Sequence, residues 1–294
     1  MTAALLEPLA LLGFRDLPVW LDALRASPDA ALRAAVTVAT AMGGVPYASS
    51  HLAQAAALPW EGDPLDHPAV LWALAGDEQD AAALLERATA TPAPHWCAAV
   101  GWAGAAAAVP KLIELLAHDD AAVAAAAGGA LQRITGAGLV ELVPVADEEI
   151  DVPEPRDPPV GERPAPPRLV RVSSDARDLP PEPSPEMVER PTTDVAAWHG
   201  WWARSAGAFD GRGRYRHGRP YTPALSLHEL DVGLATVAER RALQRELVIR
   251  TGAVVRFDPR DFVRVQEMAL EAWAPEARRM SGVAGKWQRP ARRR

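Results

Sequence analysis

The chain has 294 residues, a formal net charge of −7 and one cysteine, Cys97. That length leaves room for two domains and a sizeable core, and a lone cysteine excludes an internal disulfide and a cysteine-based metal cluster. No apolar run is long enough to span a bilayer, and the opening stretch carries Glu7 and no basic cluster. The expectation is therefore a cytoplasmic chain with no signal peptide and no membrane insertion.

Charge is spread unevenly. Acids predominate up to residue 192 and bases predominate over 193–294, which suggests two parts with separate partners. Arginine far outnumbers lysine and alanine is abundant. This bias is that of a GC-rich bacterial genome, so the arginine excess alone carries little functional weight.

Residues 14–60 are helical material, with Pro18, Pro28, Pro46 and Pro59 at the joints, where proline starts or stops helices. Asp29 followed by Leu32, Ala35, Val36 and Ala39 predicts a capped helix ending at Gly43-Gly44. A repeat follows. His67-Pro68-Ala69-Val70-Leu71-Trp72 aligns, 28 residues on, with His95-Trp96-Cys97-Ala98-Ala99-Val100, and Gly101 aligns with Gly129. The clearest unit is 106–136. One helix carries Val109, Leu112, Ile113 and Leu116, and a second carries Val123, Ala127, Leu131 and Ile134. His118-Asp119-Asp120 joins them and Gly136 stops the second. Small residues on its inner face let another helix come close. Helix pairs at a fixed period are the pattern of an α-solenoid.

Residues 144–192 hold nearly half of the 28 prolines together with many acids. They read as an extended, disordered spacer, with a docking strip as the sharper alternative and Arg168–Val172 as a candidate strand. Beyond it, Asp194 caps a helix with Trp198, Trp201 and Trp202 on one broad face. A Gly/Arg loop comes next, 210–220, with Arg212, Arg214, Arg216 and Arg219 around Tyr215, and reads as a tight β-hairpin turning at His217-Gly218. Ser226/Glu229 and Thr236/Glu239 have capping-box spacing. Thr251-Gly252 ends one helix and Asp258-Pro259-Arg260-Asp261 begins the last.

The repeat region resembles HEAT-like repeats in the short form found in phycobilin-lyase-type repeat proteins, best in VPKLIELLAHDDAAVAAAAGGALQRITG, although the arginine often found after Val123 is missing and the period is shorter than in standard HEAT units. The resemblance implies a curved stack of helix pairs with a protein-binding role and does not imply lyase activity. The order Trp198-x-x-Trp201-Trp202, Phe209-Asp210-Gly211, Arg214-Tyr215-Arg216-x-Gly218-x-Pro220, Leu230-x-x-Gly233, Arg240, Glu246-Leu247, Thr251-Gly252, Phe257-Asp258 and Gln266 resembles a family of uncharacterised bacterial HEAT-repeat proteins often encoded with type VI secretion genes. That second resemblance implies a non-enzymatic accessory or adaptor.

The expected fold is all-α. It comprises a HEAT-like α-solenoid over 1–143, an acidic Pro-rich linker over 144–192, a helical C-terminal domain with a short β-hairpin over 193–278, and a basic tail over 279–294. The expected function is a scaffold or adaptor for a protein partner, such as a secretion component or effector. Trp198, Trp201, Trp202, Arg212, Arg214, Tyr215 and Arg216 are the candidate partner-binding residues, because aromatic and arginine anchors dominate interfaces. Core packing of the tryptophans and a structural role for the loop stand beside that reading. Two further alternatives are nucleic-acid binding through the basic C-terminal region and a HEAT-like lyase or repair enzyme. No catalytic constellation, cofactor motif or paired metal spacing is found, and the histidines at 67 and 95 occupy equivalent repeat positions.

Overall fold

A computed structural model describes residues 3–14, 16–45, 47–60, 64–144, 187–232 and 235–287. The described residues are mostly helical. The helices are α1 (Leu6–Leu11), α2 (Leu17–Leu24), α3 (Ala30–Met42), α4 (Ala48–Ala55), α5 (Pro68–Ala75), α6 (Glu78–Ala90), α7 (Pro94–Ala103), α8 (Val109–Leu115) and α9 (Ala121–Thr135). Strands β1 (Val140–Pro144) and β2 (Met187–Pro191) pair with each other. Then come α10 (Val195–Ser205), the antiparallel pair β3 (Tyr215–Arg216) and β4 (Arg219–Pro220), α11 (Pro223–Asp231), α12 (Val237–Thr251) and α13 (Val263–Arg279).

Local chemistry explains the boundaries. Asp29, Asp120 and Asp194 accept hydrogen bonds from free N–H groups at the starts of α3, α9 and α10, and Thr236 with Glu239 closes a capping box on α12. Gly104, Gly136 and Gly252 end α7, α9 and α12 in the left-handed region, which costs glycine little. Two expected starts move. Ser226 lies inside α11, which begins at Pro223 after Thr222, so Ser226 and Glu229 form no cap. Asp258 accepts from Arg260 N and caps a turn, while α13 begins five residues later at Val263.

The division into domains also differs from the expected one. Residues 1–139 and 191–294 form one compact unit, and residues 140–190 form a second. The physical reason is a shared core: buried apolar side chains from Leu6 through Ile134 and from Trp198 through Trp273 belong to one cluster. In the larger unit the Thr192 N–H donates to the Leu139 carbonyl at 2.9 Å. Most of the expected linker, including Arg168–Val172, lies outside the described residues. The basic tail is held as far as Trp287, with Gly285 accepting from Arg214 N at 2.9 Å and Trp287 Nε1 donating to the Arg212 carbonyl at 2.8 Å.

In the repeat region α5 packs on α7 and α7 on α9, while α6 packs on α7 and α8 on α9. The α7–α9 contact is close because Gly101 faces Ala130, where an added Cβ would meet the Ala130 Cα at 2.7 Å. Helix α12 lies against α3, α5, α11 and α13. Every residue of it from Ala242 to Arg250 is buried, although four of them carry polar or charged side chains.

Candidate functional site

The Gly/Arg loop closes over the C-terminal ends of α7 and α9. Helix ends leave carbonyls without intrahelical partners, and the loop supplies the donors. Tyr215 N donates to the Gly104 carbonyl at 2.7 Å, His217 N to the Arg133 carbonyl at 2.7 Å and Gly218 N to the Ile134 carbonyl at 2.9 Å. The Arg214 side chain adds bonds from Nε to the Ala103 carbonyl at 2.9 Å and from Nη2 to the Trp102 carbonyl at 3.3 Å. A cation at a helix C-terminus also complements the dipole. Glycine is required where the two backbones meet: Gly136 has φ +60, and a Cβ on it would meet the His217 carbonyl at 2.7 Å.

Beneath the loop lies a closed ionic cluster. Glu246 of α12 accepts from Arg214 Nη2 at 2.6 Å, from Arg216 Nη2 at 3.0 Å and from Ser226 Oγ at 2.7 Å. Arg216 Nη1 also donates to Glu229 at 3.1 Å, and Glu229 accepts from Arg133 at 3.3 Å. Arg133 reaches on to Glu239 at 2.7 Å. The guanidinium carbon of Arg133 sits 3.9 Å from the Trp102 ring centroid, and that of Arg214 3.8 Å from that of Tyr221.

Electrostatics follow from that geometry. Burial works against the Glu246 carboxylate, and the facing Arg216 and Arg214 cations outweigh it, holding the carboxyl below its ordinary range. Burial likewise opposes the Glu229 charge. Arg216, His217 and Arg133 reverse the effect and bring that carboxyl to about 2. Burial, then Glu246, pushes the Tyr221 phenol up to about 12. Ser226 donates to Glu246 but is fully buried, and a carboxylate clamped by two guanidinia is a poor base. Arg214, Arg216, Ser226 and Glu246 are all buried, and the arrangement can hold parts of the molecule together.

The expected partner-binding residues divide accordingly. Trp198, Arg214, Tyr215 and Arg216 are buried, so none of the four presents a side chain to a partner. Trp198 Nε1 donates to the Thr192 carbonyl at 2.8 Å. Trp201 and Trp202 are half-buried and continue an aromatic row through Phe209 to Tyr215, with the last two rings 4.8 Å apart. Arg212 alone of the seven is exposed. Two of the four loop arginines, Arg214 and Arg216, are thus inside the cluster.

The histidines at equivalent repeat positions stack on one another. His67 caps α5, its Nδ1 accepting from Ala69 N at 3.0 Å, and its ring lies 4.1 Å from that of His95. Burial and then His95 lower the His67 imidazole to about 4. Cys97 is buried, and its thiol is pushed up to about 11. Among the described residues no group of three or more His, Cys, Asp or Glu side chains could hold a metal ion, and no helix is long and apolar enough to cross a membrane.

The sequence places Phe262, Val265 and Gln266 on the last helix and does not mark residues 262–268 as an exposed surface. Phe262 is 87% exposed and Val263 71%, and Val265 and Met268 are exposed beside them, while Ala269, Trp273 and Ala277 bury the other side of α13. The signal present in the sequence was four large apolar residues within seven positions, too many for a single helix face. The connection leading into α13 also walls a cleft of about 700 Å3, where Val254 and Phe257 face Leu11 and Leu12 of the α1 region.

In comparisons with known protein families, with curated proteins and with solved structures, nothing matches this chain.

Proposed function

We propose that the chain is a non-enzymatic interaction scaffold whose partner is a protein. The observation that carries this reading is the exposed apolar start of α13, from Phe262 to Met268, whose preceding connection walls the cleft lined by Leu12 and Val254. Four large apolar side chains within seven residues and open to water are the kind of feature that marks an interaction surface. The platform behind them is a set of short HEAT-like helix pairs. The side-by-side packing of α5, α7 and α9, at the period seen in the sequence, supports that description. The residue order from Trp198 to Gln266 resembles bacterial HEAT-repeat proteins and adds an address, an accessory of a type VI secretion system acting on a secretion component or effector.

The test is recovery of cross-linked partners by the tagged full chain in its host, compared with a variant carrying Phe262→Asp and Met268→Asp. Both positions are exposed, so the variant should unfold at the same temperature and lose the partner. Recovery of a secretion component by the unaltered chain supports the address, and its absence removes it. Equal recovery by the double variant removes the α13 surface.

A further inference from the structure

A second hollow, of about 860 Å3, lies between α3 and α4, well away from α13 in sequence. It falls in the size range of small-molecule sites. It exists because the facing helices present alanines there: Ala30, Ala31 and Ala34 on α3 and Ala55 on α4. Leu58 and Trp60, on the connection after α4, complete an apolar wall.

The polar lining consists of the neutral Thr37, Gln54 and His51 and two charged side chains of one sign. Arg25 and Arg33 line it, and among the described residues no carboxylate does. Arg33 Nη1 is fixed by the carbonyls of Ser27 at 2.8 Å and Pro28 at 2.9 Å, which neutralise none of its charge. Arg25 meets Asp22 at 3.3 Å, but both side chains are at least half exposed, and such pairs are weak. His51 also lines the cavity. It is 9% exposed, and its buried Nε2 has no hydrogen-bond partner. Burial, and after it the Arg25 charge, lowers the imidazole from its ordinary value, so the ring is neutral near pH 7. A buried polar atom left without a partner costs about 1–3 kcal/mol, and a ligand atom against it recovers that loss.

We propose that this cavity binds a small aromatic acid, a one- or two-ring apolar body carrying a single anionic group. The alanine floor and Trp60 accept the rings, the anion meets Arg25 with Arg33 behind it, and a polar atom of the ligand pairs with His51. The proposal is independent of the α13 surface, since the two share no residue.

Two dyes with the same ring system separate the contributions: 1-anilinonaphthalene-8-sulfonate and its neutral analogue N-phenyl-1-naphthylamine. Titrated into the full chain, the sulfonate should bind at one saturable site, about tenfold tighter than the neutral dye, as one charge-assisted contact implies. Arg25→Gln should remove that tenfold advantage and leave the neutral dye unchanged. Ala34→Trp fills the cavity from α3 and should abolish binding of both dyes. Ala55→Phe does the same from α4 if the first variant fails to fold. The sulfonate should also shift one imidazole 15N resonance, the one missing from His51→Gln. Equal affinity for the two dyes overturns the proposal, as does sulfonate binding that survives a folded cavity-filling variant, or no saturable site at all.

Discussion

Glu246 shows how much one side chain can hold. It is fully buried and receives two guanidinia and a hydroxyl. Removing one member of a buried ionic cluster leaves uncompensated charge inside the protein. Glu246→Gln should therefore cost about 3 kcal/mol in urea denaturation at pH 7. Lys111→Ala, which breaks the half-exposed Lys111–Glu114 pair, should cost about 0.5 kcal/mol or less in the same assay. Equal losses would mean that the buried cluster is not the fastener described here. Glu229 adds a pH dependence. Its carboxyl falls from 4.5 to about 2 on folding, so its contribution is complete above about pH 4.5 and is lost as the pH drops toward 2. The urea midpoint should fall through that window, and fall less in Glu229→Gln.

At the scale of elements, Gly101 and Gly129 occupy equivalent repeat positions, yet the structure gives them opposite roles. A Cβ on Gly101 would run into the Ala130 backbone, whereas one on Gly129 would meet nothing within 4 Å. Gly101→Ala should lower stability by about 1–3 kcal/mol by forcing α7 off α9. Gly129→Ala should raise it by about 0.5–1 kcal/mol through helix propensity. Thermal unfolding of the two variants distinguishes these outcomes. The pair also shows what the sequence could carry. The caps at Asp29, Asp194 and Thr236, the apolar periodicity and the hairpin turn at His217-Gly218 were legible, because each depends on residues close in sequence. The use of the Gly/Arg loop was not, because Arg214 bonds to Ala103 across more than a hundred residues. Charged side chains in a glycine-rich stretch read as surface unless their distant partners are known. Helix α12 was legible as a helix through Leu243 and Leu247. Its central burial was hidden because Arg245, Glu246 and Arg250 each find a partner far along the chain: Asp66 and Glu7, Arg214, and the Gly76 carbonyl at the end of α5.

For the whole molecule, the consequence is that residues 193–294 are not a module. Trp198, Arg214, Arg216 and most of α12 are buried in a core to which the first 139 residues contribute. Expressed alone, a 193–294 fragment should be unfolded by far-UV circular dichroism and amide exchange. Mixed with a 1–143 fragment it should recover helical signal and co-migrate as a one-to-one complex. A 193–294 fragment that melts cooperatively by itself would contradict the shared core.

The 2.9 Å bond between Leu139 and Thr192 has a further consequence. Chain leaves and rejoins the larger unit at neighbouring points, so length added between them costs that unit loop-closure entropy. That term grows by about 0.6 kcal/mol for each doubling of length. An extension or a grafted foreign domain at the junction should therefore leave the thermal midpoint of the helical unit little changed, which makes it the natural place to attach a reporter.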